Sequence, residues 1–194
     1  MPFINSSSFI LIQYQSVLFK PYSHHTSSIE NMRYHLFICR HAKAENPTFH
    51  QADYDRDLTE QGRLEASQAG EWLQQSGHKP DLIVCSSARR TLSTASIIAN
   101  KINYYQRDIL SIRELYDSTK TKLLHYLTKI DKNHSNVLLV GHNPGVSMLI
   151  ATLCNTNRGN VPTGSVHHLW FEMEEWNQLE YTKTSGYETN IVAS

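Results

Sequence analysis

From Met32 onward, apolar residues recur along the chain in two alternating rhythms. Residues 34–39 pass from alternation into a continuous apolar stretch and read as an opening strand. A helical period follows over 60–76, with Ala66, Ala69, Trp72 and Leu73 on one face. Thr59 is placed to cap it, Glu60 and Gln61 suit its first turn, and Gly77 ends it. Residues 81–85 predict a second strand. Residues 88–102 predict a second helix, its Thr91, Ala95, Ile98 and Ile102 spaced four, three and four apart. Ser118 is the expected cap of a third helix whose stripe is Leu123, Leu127 and Ile130. The apolar run 137–140 predicts a strand buried on both faces. Asn143 as cap and Pro144 at the first helical position start a helix carrying Val146, Leu149, Ile150 and Leu153. Residues 165–171 and 178–182 predict a closing β-hairpin. Strands alternating with helices, without internal repeat or interdomain linker, predict one α/β domain over 33–194.

The first 32 residues break this pattern. Of the chain's 18 Lys+Arg and 18 Asp+Glu residues they hold one each, Lys20 and Glu30, together with seven serines. Their apolar patches, 9–12 and 17–19, fall short of the roughly 18 apolar residues a membrane span needs. A basic leader, a continuous apolar core and a small-residue cleavage site are all missing from them. The expectation for 1–32 is a poorly structured N-terminal extension, with Met32 as an alternative start. Equal numbers of basic and acidic residues give zero net charge, and no Lys/Arg run offsets that balance. A nucleic-acid partner is therefore not expected. Cys39, Cys85 and Cys154 are too few and too scattered for a disulfide framework, which fits a reducing, cytoplasmic compartment.

Open α/β sheets place ligands at the carboxyl ends of their strands. Arg40-His41-Ala42-Lys43 follows the first predicted strand, Ser86-Ser87-Ala88-Arg89-Arg90-Thr91 the second, and Gly141-His142-Asn143-Pro144-Gly145 the third. Three strand ends thus bring two histidines and two or three arginines to one rim, the last two leading into helix N-termini that favour anions. The arginine fork suits phosphate oxygens, and a neutral histidine beside it can attack phosphorus. Taken singly, a strand-end histidine is ordinarily structural and an Arg-Arg pair ordinarily solvated. Yet arginines at a helix start oppose the dipole unless an anion is present. Eleven histidines invite a metal, but there is no H-E-x-x-H, and the adjacent pairs His24-His25 and His167-His168 are poor ligand sets. No Walker loop or G-x-G-x-x-G occurs, so neither metal nor cofactor is expected. Cys39 reads as a small buried hydrophobe. Ser86 and Ser87 lack a G-x-S-x-G context and read as capping residues.

Across roughly residues 33–182 these segments resemble the histidine phosphatase superfamily, in family order. The R-H-[GA] triplet is Arg40-His41-Ala42, and a D-x-x-L-T-x-x-G stretch spans 55–62. C-S-x-x-x-R-x-x-x-T-A begins at Cys85-Ser86 and continues through Arg90 to Thr94-Ala95, and G-H-N-P-G-V occupies 141–146. The resemblance implies a phosphoglycerate-mutase-like fold, a three-layer α/β/α sandwich with a mostly parallel central sheet. It implies His41 as the phosphorylated nucleophile, Arg40 and Arg90 as phosphate ligands, and His142 as the second histidine of the site. Arg89 has no family role, and Ser87 stands where the family usually has proline. Glu114 is the nearest candidate for the family's acidic proton donor, although the motif around it is absent.

Only 52 positions separate Arg90 from His142, too few for the long helical lid that mutases and sugar-bisphosphatases of the family insert. The Arg40-His41-Ala42-Lys43-Ala44-Glu45 wording and the small size most resemble the SixA-type phosphohistidine phosphatases. The implied activity is removal of phosphate from a histidine of a partner protein through a phosphohistidine enzyme intermediate. Two alternatives stand beside it. One is a small-molecule phosphomonoesterase of the same superfamily. The other is a phosphate- or phosphopeptide-binding module, which would need the arginines but no nucleophile.

Overall fold

The period-2 patterning of the strands decides the architecture, because both of their faces are apolar and both must be covered. The computed structural model describes residues 33–77, 79–156 and 159–191, and the extension expected over 1–32 lies outside them. Its elements are β1 (Arg33–Arg40), α1 (Glu60–Gln75), β2 (Leu82–Ser86), α2 (Arg89–Lys101), β3 (Leu110–Ile112), α3 (Lys120–Leu127), β4 (Asn136–Gly141), α4 (Gly145–Leu153), β5 (Val166–Glu172) and β6 (Gly186–Asn190). The strands form one sheet in the order β3-β2-β4-β1-β5-β6. The first four are mutually parallel; β5 pairs antiparallel to β1, and β6 pairs antiparallel to β5.

Alternate strand residues then go to opposite layers. Phe37 and Cys39 of β1, Ile83 and Cys85 of β2, and Leu138 and Val140 of β4 pack with Ala69 and Leu73 of α1 and with Ala95 and Ile98 of α2. Leu36 and Ile38, Leu82 and Val84, and Val137 and Leu139 pack with Leu123 and Leu127 of α3 and with Leu149 and Ile150 of α4. The result is the three-layer α/β/α sandwich that the resemblance implied.

Four local expectations are corrected. Thr119, not Ser118, caps α3, its hydroxyl accepting from the Lys122 N–H, while the Ser118 hydroxyl donates to the Glu114 carbonyl at 2.6 Å. Helix α4 starts one residue later than expected, with Pro144 at the cap position. Asn143 is turned instead to Ser147 and Val161. Residues 178–182 are not the last strand. Trp176 and Leu179 are both fully buried three residues apart, a spacing that suits the short 3-10 turn found at Trp176–Gln178. The Trp176 ring meets Tyr34 edge-on at 5.2 Å, and the last strand falls at β6. Strand β3 left no clear mark because it is three residues long, with a serine between its two apolar residues, and lies largely exposed at the sheet edge.

Candidate active site

Strand register sets the site. Arg40 of β1 pairs with Gly141 of β4, and Cys85 of β2 pairs with Val140, so Arg40, Ser86 and Gly141 stand level at one rim. Just beyond, the His41 N–H donates to the Gly141 carbonyl at 3.0 Å, which locks the two histidine-bearing turns together. The start of α1 holds the chain after His41 from behind. The Thr59 N–H and hydroxyl both donate to the Lys43 carbonyl, at 3.0 and 3.2 Å, and Glu65 Oε2 accepts from the Lys43 N–H at 2.8 Å. Gly62 is required here, since a Cβ on it would lie 2.0 Å from the Lys43 carbonyl oxygen. The L-T-x-x-G stretch is therefore a backbone clamp on the loop that carries His41.

His41 Nδ1 lies 2.8 Å from the Ala42 carbonyl. A carbonyl can only accept, so Nδ1 carries the proton and Nε2 keeps its lone pair. Burial pushes the His41 pKa down to about 4, the Ala42 carbonyl opposes that, and Arg90, Arg40 and Arg56 add to it. At neutral pH the ring is uncharged, with a free nitrogen suited to nucleophilic attack.

The His142 ring stands 5.2 Å from that of His41, at 61°. Its Nε2 shares a 2.5 Å hydrogen bond with Ser86 Oγ, and Ser86 Oγ lies 3.0 Å from Thr91 Oγ1. The Thr91 hydroxyl has two carbonyls within reach, Ser86 at 2.7 Å and Ala88 at 2.6 Å, and spends its hydrogen there. The Ser86 hydrogen then goes to Thr91, and His142 Nε2–H donates to Ser86. His142 Nδ1 is left buried and without a protein partner. Burial first, then competition with His41 for a proton and the charges of Arg90 and Arg40, outweigh the Asp53 carboxylate and lower the His142 pKa to about 3. A phosphoryl oxygen at Nδ1 would favour its protonated form and turn it into a donor.

Both arginines are tied at the far end of the guanidinium. Arg40 Nη1 donates to the Val161 carbonyl at 2.7 Å, and that carbonyl is itself fixed by Asn143 Nδ2 at 3.1 Å. Arg90, only 5% exposed, donates from Nη1 to the Asp53 carbonyl at 2.6 Å and from Nη2 to Asp53 Oδ2 at 2.9 Å. In each, the buried Nε has no protein partner. Arg40 Nε, Arg90 Nε and His142 Nδ1 thus make up three of the five unpartnered buried side-chain atoms among the described residues. Buried polar atoms are nearly always satisfied, so the two orphaned arginine N–H donors beside one cleft mark an anion seat, which His142 Nδ1 joins as a donor once it is protonated.

The cleft has a volume of about 540 Å³ and is lined by Arg40, His41, Arg90 and His142, all four residues that the sequence singled out. Lys43, Asn46, Asp53, Arg56, Tyr116 and Asp117 also line it, and sequence reasoning assigned none of them. Arg56 could have been noticed inside the D-x-x-L-T stretch, whereas Asp53 and Tyr116 carry no motif signal. Glu114 is placed elsewhere. Its residue lines a separate apolar hollow with Leu115, Lys122 and Tyr126. Arg89 is exposed and paired with Asp57 at 3.1 Å. Burial pushes the Cys39 and Cys85 thiols up to about 12, which removes both as nucleophiles.

Comparison with known proteins agrees with this arrangement. A family model described as histidine phosphatase superfamily (branch 1) matches residues 36–117. The protein named Uncharacterized protein Rv1276c from Mycobacterium tuberculosis (strain ATCC 25618 / H37Rv) is 33% identical over 119 residues, covering 60% of this chain and 70% of that one. The structure of putative phosphohistidine phosphatase SixA from Nakamurella multipartitia superposes with a TM-score of 0.69 at 24% identity, covering 84% of this chain and 98% of that one. The mycobacterial glucosyl-3-phosphoglycerate phosphatase Rv2419c complexed with VO3 superposes with a TM-score of 0.60 at 17% identity, covering 82% and 98%. With its strand-end motifs gathered in one cleft, this chain belongs to the histidine phosphatase superfamily and is a phosphatase.

Proposed function

We propose that this phosphatase removes phosphate from a histidine of a partner protein, passing it through His41 to water. The observation that carries the reading is the His41 tautomer: Nδ1 is spent on the Ala42 carbonyl, and a neutral Nε2 is left beside Arg40, Arg90 and His142. Nε2 attacks phosphorus, a P–Nε2 bond forms, and the P–N bond to the substrate imidazole breaks. Arg40 and Arg90 hold the equatorial oxygens, and His142, which enters neutral with its Nε2–H on Ser86, takes a proton at Nδ1 from the phosphoryl group and shares it back as charge develops. Water then attacks the phosphohistidine, releasing inorganic phosphate and restoring Nε2.

The leaving-group side supports a phosphoramidate over an ester. An alkoxide needs a proton donor, whereas an imidazole that already carries a proton on its second nitrogen leaves as a neutral ring. Glu114, the nearest candidate acid in the sequence, is not at the cleft. Asp53 is at the cleft, but its hydrogen bonds from Arg56 and Tyr116 and the charge of Arg90 outweigh burial and hold its pKa down to about 2. The 52 positions between Arg90 and His142 are spent on the rest of α2, β3, α3 and β4, and α3 packs into the core beside α4. Access for a protein-borne phosphohistidine follows from that. The buried thiols of Cys39 and Cys85 fit action in the reducing cytoplasm.

A small-molecule phosphomonoesterase is the second reading, favoured by Lys43 and Arg56, which could hold another anionic group beyond the phosphate seat. Turnover on a phosphohistidine protein, phosphoramidate and a panel of sugar phosphates separates the two. Much higher kcat/KM on the P–N substrates is expected. Higher efficiency on a sugar phosphate would overturn the phosphohistidine reading.

A further inference from the structure

Asp53 opens a single 3-10 turn (Asp53–Asp55) and places its carboxylate between two arginines and a tyrosine. Its Oδ1 accepts from Arg56 Nε at 2.9 Å and Nη2 at 2.6 Å. Its Oδ2 accepts from Arg90 Nη2 and from the Tyr116 hydroxyl, both at 2.9 Å. Its backbone carbonyl takes the other terminal nitrogen of Arg90 at 2.6 Å.

This geometry allows two opposite roles. Asp53 could sit where phosphate sits and compete with it, or it could hold Arg90 from one side so that another side meets phosphate. A guanidinium offers an end edge of two Nη groups and a side edge that includes Nε. Asp53 takes the end edge, while Arg90 Nε, buried, has no protein partner. The second role fits. Arg40 repeats the pattern without an acid: the Val161 carbonyl takes Nη1, and Nε again is unpartnered. The same carboxylate fixes Tyr116, whose ring meets His142 edge-on at 5.6 Å and 88°. It also separates the charges of Arg56 and Arg90, which would otherwise repel across the cleft.

We propose that Asp53 is a positioning residue of the phosphate site, gripping the end of Arg90 so that its Nε edge faces the phosphoryl group. The proposal rests on the reading of Arg90 as a phosphate ligand. Asp53 touches no reacting atom and acts through Arg90.

A double-mutant cycle on the full chain tests it, with inorganic phosphate as the probe for binding and a P–N substrate for turnover. Asp53→Ala is expected to weaken phosphate binding and lower kcat/KM by about ten- to a hundredfold, the scale of a hydrogen bond to a charged group. In an Arg90→Ala background the same change should alter phosphate binding by less than about twofold, because its target is gone. Asp53→Asn, similar in shape, goes through the same cycle if Asp53→Ala does not fold. Tighter phosphate binding on loss of the carboxylate would show that Asp53 competes with phosphate. Equal losses in both backgrounds would show that it does not act through Arg90, and unchanged binding would show that it positions nothing. Each of these overturns the proposal. Retained turnover in His41→Ala would refute the catalytic reading instead, and leaves the binding cycle to decide on Asp53.

Discussion

Two adjacent serines in the strand-end segment should respond oppositely to loss of their hydroxyls. Ser86 is fully buried, and its Oγ is the link between His142 Nε2 at 2.5 Å and Thr91 Oγ1 at 3.0 Å. The Ser87 hydroxyl is also buried but meets no partner, while its backbone N–H donates to the Ile112 carbonyl at 3.2 Å. Ser86→Ala strands the His142 N–H inside the protein, a penalty of roughly 1–3 kcal/mol for an unsatisfied buried group. In a domain of this size each kcal/mol lowers Tm by roughly 2–4 °C. The freed imidazole also loses the contact that aims Nδ1, so turnover should fall by about tenfold or more. Ser87→Ala deletes a hydroxyl that was never satisfied and leaves its backbone bond intact. It should be neutral or slightly stabilising, with turnover unchanged. Thermal melts and steady-state kinetics on the two variants give the comparison. Equal effects at the two positions, or a Ser86→Ala enzyme with wild-type Tm and kcat, would refute the His142–Ser86–Thr91 chain as the device that orients the second histidine.

Arg90→Ala should lose about a hundredfold to a thousandfold in turnover, the usual cost of one preorganised electrostatic contact. Arg89→Ala breaks only an exposed pair with Asp57, worth at most about 1 kcal/mol, and should leave turnover near wild type; the reverse order would show that the site uses the other arginine. His41 and His142, with pKa values lowered to about 4 and 3 by burial, should show no imidazole titration by NMR between pH 8 and 5. Because the unfolded chain takes up these protons first, near 6.5, stability should decline as pH falls from there toward 4, and a native ring titrating near 6.5 would contradict the burial argument. We propose that the compositionally distinct segment 1–31 is dispensable: a chain shortened to begin at Met32 should match the full chain in Tm and kcat, and a large loss of either would show that the segment contributes to the domain.

Long, periodic elements were legible in the sequence because burial on one stripe leaves a mark at every turn. Helix α1 is the clearest case, its Thr59 cap and its Ala66, Ala69 and Leu73 face all placed as read. The four strand-end residues were legible for another reason. A parallel sheet sends successive apolar strands out at one rim, so motifs distant in sequence share a site once the register is level. Short elements left weaker marks. Strand β3 has three residues with little burial, and the 176–179 segment has two buried residues that any short turn could carry. Asp53 was hidden because its role depends on Arg56, Arg90 and Tyr116 converging from up to 63 positions away. Glu114 could only be named a candidate, because a place between Arg90 and His142 in sequence says nothing of which side of a 3-10 turn a side chain takes.

The central claim is that His41 carries the phosphate. Rapid-quench labelling with a phosphorus-labelled substrate, followed by mapping of the modified peptide, tests it most directly. The result expected is one label on His41, labile to acid and stable to base as an N-bound phosphate should be, and absent in His41→Ala together with turnover. Label on Ser86 or Cys39, or turnover with no labelled enzyme at any quench time, would contradict the account.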